Sequence, residues 1–136
     1  MKTLAFAFVF LLLVAGCTQS GPYDVKAQLG EPFKLKLDQT AFIESENLYI
    51  KLTDIPQDSR CPSDVQCIRA GDTTIVVEAK KGAQTLGTVR ITSENSVEQV
   101  AALDGYVVSF LAVEPYPVST DPIQREEYVV TLKVTK

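Results

Sequence analysis

The chain contains no histidine and no tryptophan, and its 136 residues include only three cysteines. Without histidine there is no Ser-His-Asp or Cys-His nucleophile system, no imidazole acid or base and no His-ligated zinc site. Positive charge is also scarce. The chain has 13 basic and 17 acidic side chains, which gives a formal charge of −4. Proteins that bind nucleic acid need a basic surface for the phosphate backbone. Nucleic acid is therefore not an expected partner.

Common catalytic motifs are missing as well. The sequence has no Gly-x-Ser-x-Gly elbow, no glycine loop of the Walker or dinucleotide-binding type and no Ser-x-x-Lys motif. Chemistry carried by carboxylates alone needs two acidic side chains that converge in space, which a sequence does not reveal. We therefore expect a domain that is not an enzyme and that uses no cofactor.

A hydrophobic N-terminus is the first feature that the sequence does have. Residues 1–16 include thirteen apolar side chains, and residues 4–15 form an uninterrupted apolar run after the positively charged Lys2. Such a run is too short for a transmembrane helix, which needs about 20 residues to cross the hydrocarbon core. Its length and its flanks are those of a secretory signal peptide.

The end of this signal peptide resembles the lipobox of bacterial and some archaeal lipoproteins. Val14, Ala15 and Gly16 place an aliphatic residue and two small residues ahead of Cys17. The resemblance implies cleavage before Cys17 and transfer of a diacylglyceryl group to its thiol, with fatty acyl chains such as palmitate as the membrane anchor. Two acyl chains suffice for stable attachment where one does not. We expect an extracytoplasmic protein that is anchored through Cys17 to the cell membrane or the outer membrane.

The first part of the mature chain has the composition of a flexible tether. Residues 18–31 are polar, contain Gly-Pro and show no periodic apolar pattern. The predicted organisation is a signal peptide over residues 1–16, a lipidated cysteine and tether over residues 17–31, and a β domain over residues 32–136. With Lys2 removed, 12 basic side chains face 17 acidic ones, a formal charge of −5. Such a surface gains nothing from anionic headgroups, so lipid alone should attach the protein.

From residue 32 onward, apolar and polar residues alternate with the period of two that a half-buried strand requires. Phe33, Leu35 and Leu37 form the first such apolar face. The same pattern predicts strands over residues 48–52, 73–80, 85–92, 106–113 and 128–134. Six or more short strands with almost no helix predict an all-β fold, either an antiparallel β-sandwich or a small barrel.

Residues 96–103 admit two interpretations. Ser96 and Gln99 have the spacing of a capping box, which would begin a helical turn. Alternatively, Asp104 and Gly105 form a two-residue hairpin turn between a strand that ends at Leu103 and the strand that begins at residue 106. We favour the hairpin.

Cys61 and Cys67 lie in a loop between two predicted strands. The lipobox places this loop outside the cytoplasm, where thiols oxidise, so we expect a disulfide. A metal site is not expected, because two thiolates cannot complete a tetrahedral zinc site when the chain has no histidine and its third cysteine, Cys17, is the predicted lipidation site. Five residues separate the two cysteines, so the Cys-x-x-Cys spacing of a thioredoxin-like redox pair is absent.

Residues 58–71 resemble a recurring family of small secreted and lipoprotein β domains of prokaryotes. The signature Asp-Ser-Arg-Cys-Pro-x-x-Val-x-Cys-x-x-Ala-Gly is matched from Asp58 to Gly71. The likeness extends more loosely to Gly105-Tyr106, to Pro115-x-Pro117 and to Tyr128. The family commonly has an aromatic residue where Arg69 stands here, so a stacking surface is not carried over. The resemblance implies a fold and a compartment, and no particular activity.

The disulfide-braced loop is also the candidate binding site. Binding residues favour loops that a rigid scaffold holds, and the charged side chains of this loop are Asp58, Arg60, Asp64 and Arg69. A structural role competes with this one, because the five donors of Arg60 can tie the loop to carboxylates or to strand-end carbonyls. We expect a non-catalytic binding or accessory module of the cell envelope, with an envelope protein as a candidate partner.

Two alternatives stay open at this level. A protease inhibitor would present Arg60 or Arg69 of the braced loop to a trypsin-like enzyme. A calcium-binding surface domain would draw its oxygen ligands from Asp54, Asp58, Asp64 and Asp72, although their spacing matches no EF-hand.

Overall fold

The computed structural model describes residues 21–94 and 98–136, which form β-strands and two short 3₁₀ turns. In chain order the strands are β1 (Val25–Ala27), β2 (Pro32–Lys36), β3 (Thr40–Ile43), β4 (Leu48–Asp58), β5 (Asp72–Lys81), β6 (Gln84–Glu94), β7 (Gln99–Leu103), β8 (Tyr106–Glu114) and β9 (Val129–Thr135), and the 3₁₀ turns span Glu44–Glu46 and Arg125–Glu127. No helix among these residues is long and apolar enough to cross a membrane. The predicted signal peptide and the lipobox with Cys17 lie outside the described residues.

The strands form two sheets. The first has five strands in the order β1-β3-β4-β5-β6, and the second has four in the order β2-β9-β8-β7. Neighbouring strands are antiparallel, except that the short edge strand β1 runs parallel to β3. The all-β prediction is confirmed. Of the two architectures left open, the structure has the sandwich, with two separate sheets instead of a closed barrel.

One hydrophobic core joins the inner faces of the two sheets. Buried residues alternate with more exposed ones along much of the central strands, as at Leu48, Ile50 and Leu52 on β4 and at Leu132 on β9. Phe110 on β8 is the largest of these fully buried side chains. Burial of apolar surface contributes about 25 cal/mol per Å² to the free energy of folding. This core is therefore the main source of the stability that keeps the two sheets packed together. The ends of the strands, which carry the loops, are thereby fixed.

The predicted strands are present, and most boundaries differ by one or two residues. The largest difference is at β4, which continues to Asp58 at the start of the disulfide-bonded loop. The hairpin favoured over the helical turn is confirmed. Asp104 (φ 48°) and Gly105 (φ 82°) connect β7 to β8 and both have the positive φ of a type I′ turn.

Neither β1 nor β3 was predicted from the sequence. The structure differs from the expectation of a tether at residues 25–27, which pair with β3 as strand β1. Asp24 fixes the junction, because its backbone N–H donates to the Thr40 carbonyl and its carboxylate accepts from the Thr40 N–H, both at 2.8 Å. Three residues are too few to display a period of two, so this strand depends on its partner strand and leaves no pattern of its own.

Candidate functional site

Two loops meet at one end of the sandwich, and we call this region the two-loop end. The disulfide loop, residues 59–71, connects β4 to β5 in the first sheet. The proline segment, residues 115–128, connects β8 to β9 in the second sheet. The backbone N–H of Ser63 donates to the Pro117 carbonyl at 3.0 Å and joins the two loops directly.

Arg60 lies at the centre of the two-loop end with its guanidinium buried. Its Nε and Nη2 donate to the two carboxylate oxygens of Asp58 at 2.8 and 2.7 Å, a bidentate ion pair. Only 6% of the Arg60 side chain and 9% of the Asp58 side chain are exposed. Nη1 donates to the Val113 carbonyl and Nη2 to the Pro115 carbonyl, both at 2.9 Å. This side chain therefore ties the disulfide loop to β8 and to the proline segment.

The Asp58 carboxylate accepts two further hydrogen bonds from side-chain hydroxyl groups. The Tyr128 hydroxyl donates to its Oδ2 at 3.0 Å, and the Thr73 hydroxyl donates to its Oδ1 at 3.2 Å. Burial raises the pKa of Asp58, but the hydrogen bonds and the charge of Arg60 outweigh burial and hold this pKa below its ordinary value. Burial, together with the bond to Asp58, raises the pKa of Tyr128 to about 12. At neutral pH Asp58 is therefore a carboxylate and Tyr128 a neutral donor.

Backbone bonds narrow the neck of the disulfide loop. The Ser59 N–H donates to the Asp72 carbonyl and the Cys61 N–H to the Ala70 carbonyl, each at 2.8 Å. Gly71 has a φ of 72°, and a Cβ atom at this position would lie 1.8 Å from the Ser59 carbonyl oxygen. Glycine is required here for two reasons, the positive φ and the close approach of the opposite backbone.

The predicted disulfide is present, with 5.9 Å between the Cα atoms of Cys61 and Cys67. Between these cysteines, Asp64 reaches across to the proline segment. Its carboxylate accepts a hydrogen bond from the backbone N–H of Ser119 at 2.8 Å and another from the Ser119 hydroxyl. These bonds hold the pKa of Asp64 below its ordinary value. The disulfide loop is therefore braced from the interior by Arg60 and from the outside by Asp64.

The surface of the two-loop end carries apolar side chains in water. Five large hydrophobic side chains are exposed in the described part of the chain, and four of them lie here: Val65 (46%), Ile68 (104%), Tyr116 (52%) and Val118 (42%). We call these four side chains the apolar surface. Exposed apolar clusters on rigid loops are frequent sites of protein–protein contact. This surface was not predicted, because loop residues were selected for charge, although Val65 and Ile68 stand out as apolar residues among turn formers.

Tyr116 links the apolar surface to the buried ion pair. Its ring centre lies 5.4 Å from Cζ of Arg60, which is cation–π distance. Beside the two side chains opens a cleft of about 180 Å³, whose lining includes Phe110 and Val113. Sites for small molecules commonly measure about 300–1,000 Å³. The cleft is therefore better matched to one side chain of a partner than to a small-molecule ligand.

The four candidate binding residues have different positions in the structure. Asp58 and Arg60 are buried and hold the loops together, so they position the surface and do not form it. Asp64 is exposed but bonded to Ser119, and Arg69 is exposed. This difference affects the protease-inhibitor hypothesis, because a trypsin-like protease can bind only an exposed basic residue. Arg60 is buried, so of the two named arginines only Arg69 is accessible to a protease.

The calcium alternative needs carboxylates that converge, and the structure does not bring the named aspartates together. Each has its own partner: Asp54 pairs with Arg125, Asp58 with Arg60, Asp64 with Ser119 and Asp72 with Ser59. Within residues 21–94 and 98–136, no group of three or more Cys, Asp or Glu side chains is arranged to hold a metal ion.

No protein-family model matches the chain, and no curated protein or solved structure matches it either. Function is therefore inferred from the geometry of the two-loop end, since a fold on its own does not specify an activity.

Proposed function

We propose that this protein is a lipid-anchored, non-catalytic binding module of the cell envelope, and that it recognises a protein partner through the two-loop end. The apolar surface carries this proposal, because its four side chains are held in water by loops that a buried ion pair and a disulfide brace. A preorganised loop loses less conformational entropy on binding than a flexible one. The resemblance of residues 14–17 to a lipobox supports an extracytoplasmic location with an anchor at Cys17.

The polar groups of the two-loop end also favour binding over catalysis. Asp58, Arg60 and Asp64 all make hydrogen bonds within the protein, and these bonds hold loop to loop. The surface around these bonded groups carries the four apolar side chains together with the exposed Arg69. Apolar and aromatic side chains at the centre of a contact, with polar groups around them, are typical of protein interfaces.

Photocrosslinking in intact cells tests the partner. A photoreactive residue is placed at Ile68 or Tyr116 in the apolar surface, and the matched control is placed at Val100, an exposed apolar residue (59%) on β7. We expect Ile68 and Tyr116 to yield the same protein adduct, which Val65→Asp abolishes, and Val100 to yield none. Equal adducts from all three positions, or none from Ile68 and Tyr116, would contradict the proposal.

The anchor has its own test. Replacing the Cys17 thiol by a hydroxyl removes the only group that can form the thioether with diacylglycerol. We expect Cys17→Ser to move the protein from the membrane fraction to the soluble fraction. A Cys17→Ser protein that stays with the membrane would show that the lipid anchor is wrong.

A further inference from the structure

The chain enters the folded domain across the outer face of the five-stranded sheet. The ring of Tyr23 stacks on Phe42 of β3 at 4.9 Å, and Phe42 stacks on Tyr49 of β4 at 4.6 Å. Leu48 and Ile50 on either side of Tyr49 point into the core, so Tyr49 points outward. The first described residues therefore lie on the side of the sandwich that faces away from the second sheet.

The distance from this face to the predicted anchor is short. Only four residues separate Cys17 from Pro22, a span of five peptide steps, and Pro22 already lines a hollow on the same outer face. An extended chain spans at most about 3.6 Å per residue, so Pro22 lies within about 18 Å of Cys17. Because residues 25–27 form strand β1, the chain reaches the outer face at Pro22, nine residues before residue 31, where the expected tether ends.

The composition of this face suits the surface of an anionic bilayer. The hollow measures about 330 Å³ and is lined by Pro22, Tyr49, Lys51, Glu78 and Lys80, among others. Lys80 pairs with Glu78 at 2.8 Å and Lys51 with Asp38 at 3.9 Å, and exposed ion pairs of this kind are weak enough for headgroup phosphates to compete for the lysines. Lysines close to an anionic leaflet are attracted to it, and tyrosine rings favour the headgroup region of membranes.

We propose that the outer face of the five-stranded sheet rests on an anionic bilayer, with phospholipid headgroups in the hollow at Lys51 and Lys80. The inference rests on the proposed anchor at Cys17 and changes the earlier expectation that lipid alone contacts the membrane. In this orientation β4 and β8 run along the bilayer. The two-loop end then points sideways, parallel to the membrane, toward a partner in the same membrane.

Because the chain has no tryptophan, one introduced tryptophan is a unique reporter of this orientation. Tyr49→Trp places it on the proposed membrane face. The matched control is Thr131→Trp, which lies on the outer face of the second sheet between the buried Val130 and Leu132 of β9. The lipidated protein is reconstituted in phosphatidylglycerol vesicles that contain nitroxide-labelled lipid. We expect the lipid to quench the fluorescence of Tyr49→Trp severalfold more strongly than that of Thr131→Trp.

The headgroup contribution is tested on the same reporter. Lys51→Gln with Lys80→Gln should reduce the quenching of Tyr49→Trp in phosphatidylglycerol to its level in phosphatidylcholine. Phe42→Trp provides a second reporter on this face if Tyr49→Trp does not fold. Equal quenching of reporters on the two sheets overturns the orientation, and equal quenching in the two lipids overturns the headgroup contact. A wrong assignment of the anchor would give a different result from a wrong orientation, because the Cys17→Ser protein would then stay in the membrane fraction.

Discussion

At the scale of single residues, the buried guanidinium of Arg60 holds the two loops together. Removing it would leave the Asp58 carboxylate buried without its counter-ion, which costs about 3–5 kcal/mol in comparable pairs. We expect Arg60→Leu to lower the free energy of unfolding by that amount. Arg69→Leu, an exposed position of the same loop, should change it by no more than about 0.5 kcal/mol. Chemical denaturation measures both, and similar losses in the two variants would contradict the role of Arg60.

Tyr128 makes the stability of the hydrogen bonds around Asp58 depend on pH. The pKa of its hydroxyl is raised from 10.0 to about 12 by burial and by the bond to Asp58, so the folded state favours the neutral form. The stability from this hydroxyl should be complete below pH 10 and lost as pH rises toward 12. We expect a late tyrosinate absorbance step that Tyr128→Phe removes and Tyr116→Phe leaves. A titration in which Tyr128→Phe retains the late step would show that the hydroxyl is not protected.

At the scale of elements, the neck of the disulfide loop depends on a close backbone approach at Gly71. Both Gly71 (φ 72°) and Gly30 (φ 84°) have positive φ, but only Gly71 has a backbone oxygen where a Cβ would stand, whereas Gly30 has nothing within 4 Å. Gly30→Ala should therefore cost only the conformational strain, about 1–2 kcal/mol. We expect Gly71→Ala to cost at least about twice as much in thermal or chemical unfolding. Equal costs would show that the neck opens easily.

The sequence predicted the elements whose signals are local. Strands that bury every second residue show a period of two, and Asp104-Gly105 is itself the signal of its hairpin. At the site, the pairing of Cys61 with Cys67 was expected from the oxidising compartment that the lipobox predicts. The partners of Arg60 could not be predicted in this way, because Val113 and Pro115 lie 53 and 55 residues further along the chain. Such contacts exist only after both sheets have formed.

At the scale of the whole molecule, the sandwich has two separate surfaces of interest, the two-loop end and the outer face of the first sheet. The strand ends of both sheets carry the two-loop end, where the buried pair of Asp58 and Arg60 joins one sheet to the other. The outer face of the first sheet receives the incoming chain at Tyr23. In the proposed arrangement the lipid anchor precedes the outer face and the apolar surface lies at the strand ends, so the domain would bind a partner without releasing the membrane.

The topology also predicts which strands the whole domain needs. β9 lies between β2 and β8 in the second sheet, and its Val130, Leu132 and Val134 are completely buried. β1 is a three-residue strand at the edge of the first sheet. We expect deletion of residues 129–136 to abolish cooperative thermal unfolding, since it splits the second sheet and empties the core. Deletion of residues 21–27 should leave a cooperative transition at a lower temperature. A cooperative transition in the chain without β9 would mean that the first sheet folds alone, and the sandwich would then not be one cooperative unit.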